Sequence, residues 1–518
     1  MEAKIKKRAF RCFNLLFLVL PLVIMINYPA KVIPDSLSIT QMEWRDPFVT
    51  YFAQGCNTTF IISWDDARVP DYNLAPIDEK YGIIHTIMAP SYRSYPNRTA
   101  WRYTFLIDEL FQGHDIQSHC GKHVHLSDYN SIEQESLVLW GKTGIEELFG
   151  FTPIVFAYPF GDLGGAIFVE EFFDLGRTIG FEGTSWPPSN WPKAGTTISS
   201  DGINDRNLGQ IVTTMTNIYR TSSYDVFKGY GHTNYIGQTY GVTDFAKYEA
   251  NIKQIAGWTD VWYTSWGELV SYTIEKNKII IGDPVYSSDQ IRFNISAEST
   301  LNTEIYKVPI TVSIAIPRDW DNVFPTINDK YTSQFSRRYH YDHIELLLNV
   351  IPSHKNQTIK IWRDIPLVDQ APPEIANFSI KTRTMNESWD REPPQLFNFT
   401  FMRFDVTDAQ TNVQKVNASV SLENGTVWYY SNVKNPIFWQ NSTYGRVVWN
   451  STKNNYNLQQ INESEVLYAE IMAQDGFGNI RVSAFYPNGT KTGNDQIIIG
   501  NQTLLHFPDK NSNNTQQS

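Results

Sequence analysis

Between residues of about 55 and 275 the chain alternates two hydrophobic patterns. Short apolar runs of strand length come first: TTFIISW (58–64), YGIIHTIM (81–88), HDIQSH (114–119) and PIVFAYPFG (153–161). Between and after them lie longer stretches with helical spacing, TAWRYTFLIDELFQG (99–113), SIEQESLVLWGKTGIEELFG (131–150) and IFVEEFFDLGRTIG (167–180), each ending on a glycine. Strand and helix in turn at this spacing predict an α/β domain with a parallel sheet, open or closed into a barrel. Chemistry in such barrels sits at the C-terminal ends of the strands.

After residue 280 the helical period disappears. DQIRFNISA, VPITVSIAIP, HIELLLNVIP and QTIKIW read as short alternating strands. QAPPEIANFSI supplies a two-proline linker, and VNASVSLENGTVWYYS reads as a hairpin on an Asn-Gly turn. The expected organisation is a leader at 1–30, a barrel at 45–278, β-sandwich modules of Ig-like type at 280–370 and 371–505, and a polar tail at 506–518. A fragment from about residue 40 to 278 is expected to fold alone.

Charge and cysteine content narrow the class. A net charge of −11 argues against a nucleic-acid partner. MEAKIKKRAFRCF followed by NLLFLVLPLVIMI has the basic and apolar regions of a secretory signal, cleaved near Ala30 or kept as a membrane anchor. Of fifteen N-x-S/T sequons, thirteen lie after residue 290, in keeping with an exported, glycosylated surface. The localisation expected is therefore secreted or cell-surface. Three cysteines make no disulfide scaffold, and no Cys56–Cys120 bridge is expected.

Candidate chemistry gathers in two places. The strand TTFIISW runs into Asp65 and Asp66, two carboxylates that repel each other and are costly to bury unpartnered. By themselves these residues also fit a solvated turn with an Asp capping the next helix. The second place is GHDIQSHCGKHVHLSD (113–128), with His114, His119, His123 and His125. His119 and His123, four apart, would share one face of a helical turn within reach of one metal ion. His114 and His125 read as surface residues.

SWDDA, HCGKHVHLS and AYPFG, in that order, resemble the three leading motifs of the polysaccharide deacetylases with a NodB-homology domain, carbohydrate esterase family four, in a FAYPFG-type variant. KGYGHTNY and DVWYTSWGELVSY resemble the later strand-end histidine and the closing strand and helix. The resemblance spans about 220 residues. It implies a distorted (β/α) barrel and a single divalent ion, most often zinc, held by Asp66, His119 and His123. It implies Asp65 as general base toward a metal-bound water, the backbone N–H of Phe160 as oxyanion donor with Tyr158 beside it, and His232 as proton donor to the leaving amine. Trp186 either walls a sugar groove or packs a loop. Three positions depart from the family: Ala67 for Gly, Cys120 for Ser/Thr, and Ala157 for the arginine that orients the base. Arg220, in a segment read as strand-to-loop (NIYRTSSY), is the expected replacement for that arginine.

The function expected is removal of N-acetyl groups from a cell-surface or extracellular polysaccharide of the N-acetylglucosamine type. The alternatives are a non-catalytic glycan-binding or surface-layer protein on the same fold, and an amidase acting on a small non-sugar amide.

Overall fold

The computed structural model describes residues 45–498, with breaks at 69–70, 72, 92–112, 150, 199–201, 222–223, 235–240, 321, 333, 364–371, 388–394, 408–412, 424–426, 431–442, 450–465, 476–478 and 494. The leader, most of the helix expected at 99–113, the two-proline linker up to residue 371 and the polar tail lie outside the described residues.

One parallel sheet organises the first domain. Its strands are β2 (Thr58–Asp65), β3 (Thr86–Ala89), β4 (Asp115–Ser118), β5 (Val155–Ala157), β6 (Leu175–Phe181), β7 (Ala194–Thr196), β8 (Asp225–Gly231) and β9 (Val261–Tyr263). The order is β7-β6-β5-β4-β3-β2-β8, with β9 also on β2 and every pair parallel. The sheet curls until its ends meet: Thr197, next to β7, donates its N–H to the Lys228 carbonyl of β8 at 2.9 Å. The result is a distorted (β/α) barrel. Helices α1 (Ala75–Lys80), α2 (Ser131–Phe149), α3 (Ala166–Phe172), α4 (Gly209–Thr221), α5 (Phe245–Ile255) and α6 (Trp266–Lys276) connect the strands.

Alternation on β2 decides which side chains enter the barrel. Phe60, Ile62 and Trp64 pack in one core with Ile211 and Met215 of α4 and Ile252 of α5. Ile61 faces the other way, into the core that also holds Met88, Val155, Leu175 and Val226. Asp65 shares the parity of Ile61, so it points inward at the strand's C-terminal end.

Two segments differ from the sequence reading. The helix expected at 167–180 stops at Phe172, and LGRTIGF is strand β6, whose first four residues are buried. The segment holding Arg220 is the last turn of α4, not a strand. Ile211, Met215 and Ile218 recur there at helical spacing and are buried.

The inner core continues beyond the barrel. Trp266, Leu269, Val270 and Tyr272 of α6 belong to one apolar cluster with Ile291, Phe293, Val312, Ile314 and Leu348 of the following strands. Those strands form two antiparallel sheets. One runs β1-β13-β17-β16; the other runs β10-β12-β18-β14-β15, with β11 on β12. Their ranges are β10 (Ile279–Ile281), β11 (Val285–Tyr286), β12 (Gln290–Ala297), β13 (Ile310–Pro317), β14 (Val323–Ile327), β15 (Lys330–Tyr331), β16 (Phe335–Tyr339), β17 (His343–Val350) and β18 (Gln357–Arg363). The edge strand β1 (Phe48–Val49) comes from the start of the described chain and pairs with β13. Residues 48–50, within the span expected for the barrel, thus pair with a strand of the module that follows it. The fragment expected to fold alone would lose β13 and expose this shared core.

Farther along, two more antiparallel sheets, β19-β20-β23 and β22-β21-β24-β25-β26, are formed. Their strands are β19 (Glu374–Glu387), β20 (Gln395–Thr407), β21 (Val413–Leu422), β22 (Val427–Tyr430), β23 (Thr443–Trp449), β24 (Val466–Asp475), β25 (Ile480–Phe485) and β26 (Gln496–Ile498). Phe378 of β19 stacks on Phe485 of β25 at 4.7 Å, joining the two sheets face to face.

Candidate metal and hydrolytic site

The C-terminal ends of β2, β4, β5 and β8, with Arg177 of β6 beside the last residue of β5, bring the site together. Asp66 follows β2 in the left-handed region (φ 78°). This turn swings its carboxylate toward β4, and Asp65 stays in the barrel. His119 follows β4. Its Nδ1 lies 2.8 Å from the Ala157 carbonyl at the end of β5, which directs Nε2 toward Asp66 Oδ1 at 3.3 Å. His123 Nε2 lies 3.0 Å from the same oxygen. The three donor atoms lie within 4.8 Å of one another.

The two histidines are not on a helical turn. Residues 119–125 form a bent loop, with Cys120 at φ 72°. Helix α2 fixes that loop by close approach: a Cβ on Gly141 would meet Ser118 Oγ at 2.6 Å and the Cys120 backbone at 2.9 Å. The helix start is set by a reciprocal cap between Asn130 and Glu133, both bonds at 3.1 Å.

Asp65 has a different partner. Arg177 of β6, fully buried, donates from Nη2 to Asp65 Oδ1 at 2.5 Å. Burial pulls the Asp65 pKa up, but Arg177, His119 and His232 together outweigh it, and the carboxyl is held below its usual range. For Asp66 burial again pulls up, and hydrogen bonds from His119 and His123 carry it well below. Both carboxylates thus stay ionised side by side, one facing two imidazoles and the other a guanidinium.

His232, just past β8, has Nε2 3.7 Å from Asp66 Oδ2. Burial lowers its pKa to about 4 despite the upward pull of Asp65 and Asp66. Phe160 lies at the rim in the left-handed region (φ 57°), half exposed, with its ring 4.3 Å from His123 and stacked on His125 at 4.1 Å.

Three expected residues are elsewhere. Arg220 is exposed in the last turn of α4, where a cation suits the helix end, and it does not reach Asp65. Tyr158 is buried and donates its hydroxyl to the Pro192 carbonyl at 2.7 Å, so it lines no open groove. Trp186 is buried in the core shared with the β-module, where its Nε1 donates to Thr273 Oγ1 of α6 at 2.9 Å. Of its two readings, packing is the one seen. His114 is also buried, stacked on His85 at 3.8 Å rather than at the surface. Cys56 and Cys120 are both free thiols.

Two site residues escaped the sequence reading. Arg177 was hidden inside an apparent helix; Gly176 and Gly180 within it were the signal against a continuous helix. Arg68 donates from Nε (2.9 Å) and Nη2 (2.6 Å) to Asp66 Oδ2, and from Nη1 to Asn234 Oδ1 (2.5 Å). No sequence motif marked it.

The donor set fits a divalent ion. One carboxylate oxygen and two imidazole nitrogens converge, His119 is oriented by a backbone carbonyl through its other nitrogen, and the carboxylate is ionised.

No family model and no curated protein matches the chain. Several solved structures align with part of it. One is a protein from Mycobacterium smegmatis described as a polysaccharide deacetylase: 12% identity, 45% of this chain and 95% of that one, TM-score 0.34. Another is a peptidoglycan deacetylase from Bacillus subtilis, solved as a mutant: 14% identity, 41% and 89%, TM-score 0.27. A third is an allantoinase: 13% identity, 43% and 93%, TM-score 0.35. The neighbours thus include polysaccharide deacetylases, the family that the motifs resemble.

Proposed function

We propose that the chain is a metal-dependent hydrolase that removes N-acetyl groups from a polysaccharide of the N-acetylglucosamine type, secreted or at a cell surface. The observation that supports this most is the division of labour between adjacent carboxylates. Asp66 faces His119 and His123, and Asp65 faces Arg177. A site that merely bound an ion or a glycan would have no need of a second carboxylate held ionised beside the first.

A divalent ion, zinc by its donors, would be held by Asp66, His119 and His123 and supply Lewis acidity toward the amide carbonyl. Asp65, held ionised and oriented by Arg177, takes the proton of the attacking water. The backbone N–H of Phe160 donates to the oxyanion as the carbonyl becomes tetrahedral. The departing amine receives the proton that Asp65 took from the water, with His232, neutral in the resting site, as the group that relays it. Cleavage of the C–N bond leaves acetate and a free amino sugar. The leader and the sequon-rich second half support export; no described helix is long and apolar enough to cross a membrane.

The test is acetate release from N-acetylglucosamine oligomers by the full chain, with zinc and after chelation. Release that chelation abolishes and zinc restores supports the reading. A zinc-loaded protein that binds the oligomers yet releases no acetate would show a binding protein on this fold.

A further inference from the structure

Arg68 connects two strand ends of the site. Its Nε and Nη2 both donate to Asp66 Oδ2, at 2.9 and 2.6 Å. From the other side Nη1 donates to Asn234 Oδ1 at 2.5 Å and to the Thr233 carbonyl at 3.4 Å, two and one residues beyond His232. The turn that carries it is fixed as well: its own N–H donates to Asp71 Oδ2 at 2.6 Å, and Asp71 Oδ1 accepts from Thr233 Oγ1 at 2.5 Å. Asp66 and the segment after β8 are thus bonded to one planar group.

The two oxygens of Asp66 therefore have separate duties. Oδ1 faces His119 and His123, and Oδ2 is taken by the guanidinium fork. A free carboxylate rotates about its terminal torsion and can offer either oxygen or both to a cation. Two N–H bonds that converge on Oδ2, from a guanidinium itself tied to Asn234, hold that oxygen in place and oppose the rotation. We propose that Arg68 is a positioning residue: it fixes Asp66 so that one oxygen alone faces the divalent ion, and it ties that ligand to the His232-bearing segment. This rests on the reading of Asp66, His119 and His123 as a metal site.

Charge and geometry give opposite expectations, which makes the role testable. A guanidinium acting on a dication only through its charge repels it, and removing it would tighten binding. A guanidinium that orients a ligand aids binding, and its loss weakens it, by about 10- to 100-fold for typical outer partners.

The experiment is a zinc titration of the full chain against a chromophoric chelator, for wild type, Arg68→Met, Arg68→Lys and Asn234→Ala, with thermal melts of the metal-free proteins as a folding check. Arg68→Met should weaken zinc binding by at least about tenfold. Arg68→Lys should weaken it too, because an ammonium keeps the charge but lacks the fork. Asn234→Ala leaves both charge and fork in place and should weaken it less. It also serves if the Arg68 variants do not fold. Unchanged or tighter binding in folded Arg68→Met overturns the proposal, and so does full affinity in Arg68→Lys. If wild type takes up no zinc, or His123→Ala leaves uptake intact, the metal site itself fails. That result is distinct from a wild-type site that Arg68 does not influence.

Discussion

Replacing Arg177 with Met tests the support of Asp65, the proposed general base, directly. The pair is almost wholly buried, with side-chain exposures of 0% for Arg177 and 4% for Asp65, and its N–O distance is 2.5 Å. The guanidinium also lies 4.9 Å from the Tyr230 ring, which adds a cation–π contact. Removing one partner of such a pair strands the other charge in low dielectric, at a cost of roughly 3–5 kcal/mol. Asp65→Asn should cost a similar amount, because it strands Arg177 instead. The double variant strands neither charge, so it should be more stable than the sum of the singles implies, with a coupling of about 3 kcal/mol or less. The assay is urea denaturation followed by tryptophan fluorescence, with all four proteins free of metal. Single variants that each cost under about 1 kcal/mol and simply add would refute the buried-pair account. Arg220→Ala, at an exposed helix end, should stay within about 0.5 kcal/mol of wild type.

Zinc-loaded Asp65→Asn should keep its metal while turnover falls by about two to four orders of magnitude, measured as acetate release. Loss of metal instead would exchange the roles of Asp65 and Asp66. Gly141→Ala should destabilise the barrel by roughly 1–3 kcal/mol through overpacking against Ser118 and Cys120. It should also weaken zinc binding in the chelator titration, because the backbone pushed aside carries His119. Glu275 of α6 is buried, with Oε1 accepting from the Val308 N–H at 2.8 Å, and burial pushes its pKa well above the usual 4.5. A carboxyl raised on folding favours the fold while protonated and penalises it as pH rises through the folded pKa. Glu275→Gln should therefore raise the thermal midpoint at neutral pH, and the gain should vanish below about pH 4.5.

The barrel and the convergence of Asp66, His119 and His123 were legible in the sequence because each is written locally, although the histidines meet through a bent loop and not through the helical turn expected of them. β2 shows its apolar run and its two aspartates within ten residues, and the histidines lie four apart. What it hid depended on contacts between distant segments. Arg177 reaches Asp65 across 112 residues, and its segment carried enough apolar residues to pass for a helix. Arg220 had the right chemistry and the wrong backbone: the spacing of Ile211, Met215 and Ile218 outweighed the look of its own neighbourhood. Trp186 illustrates a different limit, since an aromatic loop residue reads the same whether it meets a sugar or Thr273. The division between barrel and first β-module was also illegible, because β1 is only two residues long and its partner lies in β13.

That short strand bears on the order in which the protein is made. Thr50 bonds to Thr311, 261 positions downstream, through both its backbone N–H and its hydroxyl, and the hydroxyl also meets Tyr272 of α6. A ribosome adding about 5–20 residues per second needs roughly 13–50 s to cover that interval. Through all of it the first described strand of the chain has no β13 to pair with, and the apolar face of α6, made near the end of the interval, waits out the last part of it. The barrel therefore emerges with one end unsealed, and its closure waits for the module encoded after it. Chaperones or a translocation channel that hold the chain extended would suit such a design, since residues 48–50 find their partners only when residues beyond 310 arrive.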